Sequence, residues 1–163
     1  FDVKELVARI CAFRKKSSPE MLKEVSVDKP KRLGRPSGKR VAVLDLGVTK
    51  SIIRQLESLG FSIVLLPYST PAAEVMKLRP AGLVISSGPE NIFELEKVAE
   101  NIKPLLGNIP VLGISSGSLV LALGLGIKIN KLKVGHRGVN YPVQSVELAY
   151  FYKQKYGRFE PLY

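Results

Sequence analysis

Ile109-Pro110-Val111-Leu112-Gly113 is a short apolar run, and Ile114-Ser115-Ser116-Gly117 carries it straight into a second apolar stretch, Leu119 to Leu125. A strand that turns at once into a helix, over 117–125, reads this way. The same grammar repeats toward the amino end. Val41-Ala42-Val43-Leu44 reads as a buried strand, and residues 49–59 follow with Ile52, Ile53, Leu56 and Leu59 at helical spacing, stopped by Gly60. Ser62-Ile63-Val64-Leu65-Leu66 and Gly82-Leu83-Val84-Ile85-Ser86 are two further strands, with a helix opened by Pro71 between them and a longer helix over 92–106 after them. Strands alternating with helices imply right-handed βαβ units. The expected fold is therefore α/β, with a mostly parallel sheet of about five strands and helices on both faces. In such sheets chemistry gathers at the carboxyl ends of the strands.

The flanks differ from this centre. Residues 1–40 hold 12 Lys/Arg against 5 Asp/Glu, residues 128–163 hold 7 against 2, and residues 41–127 hold 6 against 7. The net charge of +11 is thus carried by the two ends. Residues 1–28 read as helical, with Leu6, Val7, Ile10 and Phe13 in a stripe, and Ser18-Pro19-Glu20 marks a second helix start. Residues 29–40, with two prolines, two glycines and six basic residues, read as a linker. We divide the chain into a basic helical arm and linker (1–38), a central domain (39–143), and a tail (144–163) in which aromatics alternate with Lys153, Lys155 and Arg158. That tail suggests either a basic interaction module or a last element packing its aromatics on the sheet. Basic ends without one stacked, charged face argue against a nucleic-acid binder. No apolar run approaches the length of a membrane span and no signal-peptide core is present. The lone Cys11 excludes an internal disulfide and fits a reducing cytoplasm.

Two segments at strand ends can carry chemistry, Ser86-Ser87-Gly88-Pro89-Glu90-Asn91 and Gly113-Ile114-Ser115-Ser116-Gly117. The second has the G-x-S-x-G form of a nucleophile elbow, in which flanking glycines let the central side chain project from a sharp turn above a helix N-terminus. A plain strand-to-helix turn needs the same small residues, so spacing alone leaves both readings open. A serine-hydrolase triad on this kind of sheet runs Ser, acid, His. No Asp follows Ser115, and the one histidine, His136, precedes the next acid, Glu147. Gly34 to Arg40 falls one residue short of a P-loop and precedes its strand. With one Cys and one His, no metal-ligand cluster forms. We expect neither cofactor nor metal.

Several segments in order resemble one family. They are Val41-Ala42-Val43-Leu44-Asp45-Leu46-Gly47-Val48, Ile53-Arg54-Gln55-Leu56, Ser87-Gly88-Pro89, Pro110-Val111-Leu112-Gly113-Ile114 and Gly135-His136-Arg137-Gly138-Val139-Asn140-Tyr141-Pro142. Together they are similar to the class I glutamine amidotransferase domain of the carbamoyl-phosphate synthetase small subunit, over about residues 39–143. The resemblance implies a flavodoxin-like fold. It also implies a family role, hydrolysing glutamine to supply ammonia to a large synthetase subunit that makes carbamoyl phosphate for pyrimidines and arginine.

In that family an elbow cysteine attacks the glutamine amide, activated by a His–Glu pair near the carboxyl end. Here Ser115 stands at the cysteine position, and a hydroxyl without a positioned base is a poor nucleophile. Leu-Gly-His-Gln becomes Ser116-Gly117-Ser118-Leu119, so Leu119 replaces a substrate-holding Gln. Gly-Pro-Gly on the oxyanion strand becomes Gly88-Pro89-Glu90, placing a carboxylate where an oxyanion must be stabilised. No His-Pro-Glu motif precedes Tyr163, and His136 matches a position outside the catalytic pair. Ammonia-dependent carbamoyl-phosphate synthetases resemble the chain at Gly-Ile-Ser-x-Gly and keep the domain without glutaminase activity. The expectation is a cytoplasmic, catalytically impaired amidotransferase-like domain that partners a synthetase large subunit. Glutamine is its substrate if activity survives, and self-association at an open sheet edge is a further expectation. A non-enzymatic basic scaffold is the alternative.

Overall fold

The computed structural model describes residues 2–14 and 20–130; His136, the 135–142 motif and the 144–163 tail lie outside them. Its elements are α1 (Val3–Arg14), α2 (Met21–Val25), β1 (Lys31–Gly34), β2 (Arg40–Asp45), α3 (Lys50–Ser58), β3 (Ser62–Pro67), α4 (Ala72–Lys77), β4 (Gly82–Ile85), α5 (Ile92–Ile102), β5 (Val111–Gly113) and α6 (Ser116–Gly124). All belong to one compact unit, Phe1–Ile129.

The strands form one sheet in the order β1-β3-β2-β4-β5. β2 pairs in parallel with β3 on one side and β4 on the other, and β4 pairs in parallel with β5. The chain leaves β2 toward β3, then crosses back to β4 on the opposite side. The strand order therefore reverses between β2 and β4, the place where open α/β sheets form their crevice. The loops after β2 and β4 flank that reversal. The α/β expectation holds, with a flavodoxin-like strand order.

The core has two layers. On one face Leu44, Leu66, Leu83 and Ile85 pack with Val75 of α4, Leu95, Val98 and Ile102 of α5, and Val120 of α6. On the other, Val41, Val43, Ile63 and Leu65 pack with Ile53 and Leu56 of α3. Apolar side chains alternate between the two layers along β2, β3 and β4, so those apolar runs are strands buried on both sides; β5 is not, since it lies at the sheet edge with Leu112 exposed.

Three details differ from the sequence reading. The stretch 29–40 is not wholly a linker: Lys31 to Gly34 form β1, antiparallel to β3, with Leu33 opposite Ile63 and packed on the α3-side core. β5 begins at Val111 instead of Ile109, because Pro110 has no N–H to donate to the ladder; its carbonyl still accepts from Leu83 N at 2.9 Å. The helix read over 92–106 is regular to Ile102 and then tightens into a 3-10 turn, Lys103–Leu105, at Pro104.

The arm is not detached from the domain. Leu22 of α2 is fully buried in the main core cluster. By contrast, the stripe Val3, Leu6, Val7 and Ile10 of α1 is exposed.

Candidate functional site

The elbow is built by close backbone packing. A Cβ on Gly117 would stand 2.1 Å from the Ile85 carbonyl oxygen, and one on Gly113 would stand 2.5 Å from the Gly117 oxygen. Both glycines are thus required for α6 to start against the end of β4. Ile114 N donates to Ile85 O at 3.0 Å and fixes the turn between them. Ser115 then sits at φ 54°, ψ −119°, a region that residues with a Cβ rarely occupy. Its side chain is exposed and makes no capping hydrogen bond to α6. A plain tight turn does not require such a backbone, so the strained geometry goes with the elbow reading.

The second segment meets the elbow through one hydrogen bond. Ser116, fully buried, donates from Oγ to the Gly88 carbonyl oxygen at 3.0 Å. Gly88 is pressed against the loop after β2, where a Cβ would stand 1.8 Å from the Leu46 oxygen. Ser86, also fully buried, accepts from Leu46 N at 2.9 Å and donates to Ser87 O at 3.0 Å. Asn91 caps α5 by accepting from Phe93 N at 3.2 Å. The β2 loop, the β4 loop and the start of α6 are thereby locked into one body at the sheet's carboxyl end.

The five residues singled out in the sequence fall as follows. Gly88 and Ser116 touch through the hydrogen bond, and Ser115 adjoins them on the strained turn. Glu90 is exposed at the end of the β4 loop. Leu119 is half-buried one turn into α6 and packs against the main core, so it presents no polar group to a ligand. Among the described residues, neither the Glu90 nor the Ser116 amide donates to a backbone acceptor. N–H groups of this kind can receive a developing negative charge, but here the Glu90 carboxylate lies on the same loop. The chain's single histidine lies outside the described residues, and no group of three or more His, Cys, Asp or Glu among those described could hold a metal. An open groove of about 520 Å³ runs between Phe93, Lys97 and Glu100 of α5 and Leu123 of α6, and no elbow residue lines it.

Sequence reasoning missed how the arm reaches this site. Asp45, buried at the end of β2, accepts at Oδ1 from Gly47 N (2.9 Å) and Val48 N (2.8 Å), and at Oδ2 from Val27 N (2.9 Å). Ser26 Oγ accepts from Tyr68 N at 3.1 Å, just beyond β3. Glu94 of α5, 7% exposed, accepts at Oε1 from Leu22 N at 3.2 Å. Residues 22–27 are therefore pinned across the strand ends. A Cβ on Gly47 would stand 3.2 Å from Val25 Cγ2 and 3.4 Å from Gly88 Cα, so the arm, the β2 loop and the β4 loop are in contact. The available signal was an aspartate directly after an apolar strand and before Leu-Gly, a pattern that suits a side chain turning back onto its own backbone. Lys23 on the arm's outer side bonds Glu20 at 3.1 Å, which holds its ammonium above the usual lysine range; the pair is exposed and apart from the site.

Comparison with known proteins agrees with this architecture. The family model for glutamine amidotransferase class-I matches residues 42–158. A carbamoyl phosphate synthase small chain from Methanopyrus kandleri is 34% identical over 157 residues, covering 94% of this chain and 43% of the relative. The small chain from Thermus thermophilus is 40% identical over 111 residues, 68% of this chain and 28% of its own length. That from Archaeoglobus fulgidus is 37% identical over 131 residues, 80% and 37%. The chain thus spans less than half the length of these curated relatives. With the strand order, the strained elbow and these matches in hand, the chain belongs to the class I glutamine amidotransferase family and resembles the small chain of carbamoyl phosphate synthase.

Proposed function

We propose that this chain is an amidotransferase-like domain of the carbamoyl phosphate synthase small-chain type that keeps the shape of the glutaminase site without its chemistry, and that it binds a synthetase large subunit. One observation carries the reading. Ser115, at the family's cysteine position on a strained turn, offers a hydroxyl that is exposed and makes no capping hydrogen bond to α6. A serine in that state is overwhelmingly protonated at neutral pH and attacks an amide poorly. The Glu90 carboxylate adds a charge that opposes an oxyanion on the same loop. Leu119, turned to the core, leaves no amide to hold glutamine at its position. The three changes affect nucleophile, charge stabilisation and substrate binding in turn, which supports a scaffold or regulatory role over a slow enzyme.

No helix among the described residues is long and apolar enough to cross a membrane. The proposed setting is the cytoplasm, in carbamoyl phosphate synthesis for pyrimidines and arginine. The test is glutamate release from glutamine by the chain and by Ser115→Cys, each alone and with a carbamoyl phosphate synthase large subunit, alongside co-elution of the two proteins. The expected result is co-elution with no glutamate from the native chain. Glutamate release that disappears in Ser115→Ala would sink the proposal.

A further inference from the structure

We propose that the outer edge of β1 is a docking strand for an acidic, extended segment of a protein partner. The inference is independent of the elbow chemistry. β1 closes one end of the sheet and, among the described residues, pairs only with β3. The backbone groups on its other side therefore form a ready template for one more strand. Leu33 anchors β1 by packing on the α3-side core, while Lys31, Arg32 and Gly34 are exposed.

The charge on this edge is one-sided. Lys29, Lys31, Arg32 and Arg35, on and beside β1, fall within seven residues that contain no acid; Lys39 and Arg40 lie at β2, with β3 between. The ion pairs among the described residues are Lys23–Glu20, Lys77–Glu74 and Lys103–Glu100, none of which uses these cations. Arg40 is spoken for by the Leu78 carbonyl, and Glu57 on α3 approaches the Gly34 end of the strand. Lys29, Lys31, Arg32 and Arg35 are exposed, just before, along and just after the strand.

Basic side chains on an edge strand usually keep copies of a protein apart. At this edge a second copy would bring the same charges, so the expected self-association would have to use another surface. The same field favours a strand of the opposite sign, because complementary charge steers association and fixes register. No aromatic residue lies in 29–40, so base stacking has no platform there and nucleic acid is the poorer fit.

The probe is a fluorescein-labelled peptide of five Glu-Val repeats, titrated by anisotropy against the full chain. Comparison probes are five Lys-Val repeats, an acidic peptide of equal charge with proline at every second position, and a twelve-nucleotide oligo-dT. We expect the Glu-Val peptide to bind at least tenfold more tightly than each comparison probe, and binding to weaken as salt rises from 50 to about 300 mM, as exposed charge interactions do. Lys31→Glu with Arg32→Glu and Arg35→Glu should weaken it at least tenfold at an unchanged circular dichroism spectrum. Should that triple variant fail to fold, Arg35→Glu, in the turn outside the strand, should weaken it about threefold. Equal binding of the proline peptide would overturn strand addition, tighter binding of oligo-dT would overturn the choice of partner, and no loss in the charge-reversed variants would overturn the site.

Discussion

Leu22→Ala tests whether the arm is part of the domain's core. Leu22 lies on a five-residue helix that propensity alone could not hold, since isolated helices this short are unstable in water. It is nevertheless fully buried among side chains from the sheet and α5. Removing three carbons forfeits about 2.4 kcal/mol of transfer free energy at ~0.8 kcal/mol per buried methylene. The space left behind adds to that, and Leu→Ala changes in cores cost about 2–5 kcal/mol in total. The short helix can settle partly into the gap, so we expect about 3 kcal/mol. At roughly 2–4 °C per kcal/mol for a chain of this size, Tm should fall by about 6–12 °C. Urea unfolding at equilibrium gives the free energy, with Lys23→Ala, on the exposed side of the same helix, as the control expected to leave the midpoint unchanged. A loss below about 1 kcal/mol for Leu22→Ala would show that the arm is merely laid on the surface, and the coupling of arm to site would go with it.

Asp45→Ala removes the acceptor of three backbone N–H groups and should cost about 3 kcal/mol, with Asp45→Asn, which keeps one oxygen, costing roughly half; urea melts of both variants check the ratio. Ser116→Ala leaves the Gly88 carbonyl without its donor and should cost about 1–3 kcal/mol by the same measurement. Gly88→Ala, whose new Cβ would lie 1.8 Å from a carbonyl oxygen, should abolish soluble expression or cost more than about 4 kcal/mol. Ser115→Gly should raise stability by about 1 kcal/mol, because relief of ~1–3 kcal/mol of backbone strain outweighs the ~0.5–1 kcal/mol of added unfolded-state entropy; an unchanged or lower Tm would mean that the elbow stores no strain.

The central sheet was legible because β2, β3 and β4 are buried on both sides and so appear as unbroken apolar runs between helical repeats; β5 reads the same way although Leu112 is exposed. β1 escaped notice because an edge strand needs only one anchored side, and Leu33 alone between cations gives no period-two signal. The elbow was visible in G-x-S-x-G because its glycines answer to contacts within a few residues. The bonds that complete the site were not visible, since each joins a side chain to a backbone group far along the chain: Ser116 to Gly88 over 28 residues, Ser26 to Tyr68 over 42, and Glu94 to Leu22 over 72. Any serine or carboxylate could serve such a role, and only the fold says which one does. The departures at Ser115, Glu90 and Leu119 rest on resemblance, and the structure adds what periodicity could not, that Leu119 packs on the core.

The pinning of residues 22–27 has a mechanical consequence. A load applied through α1 would not simply peel the arm away. It would be shared by the bonds from Leu22 to Glu94 and from Val27 to Asp45, and by the contact of Val25 with Gly47. The last of these leads in one step to Gly88 and the elbow. A load reaching residues 22–27 would thus be borne by the same loops that hold Gly88 and the elbow.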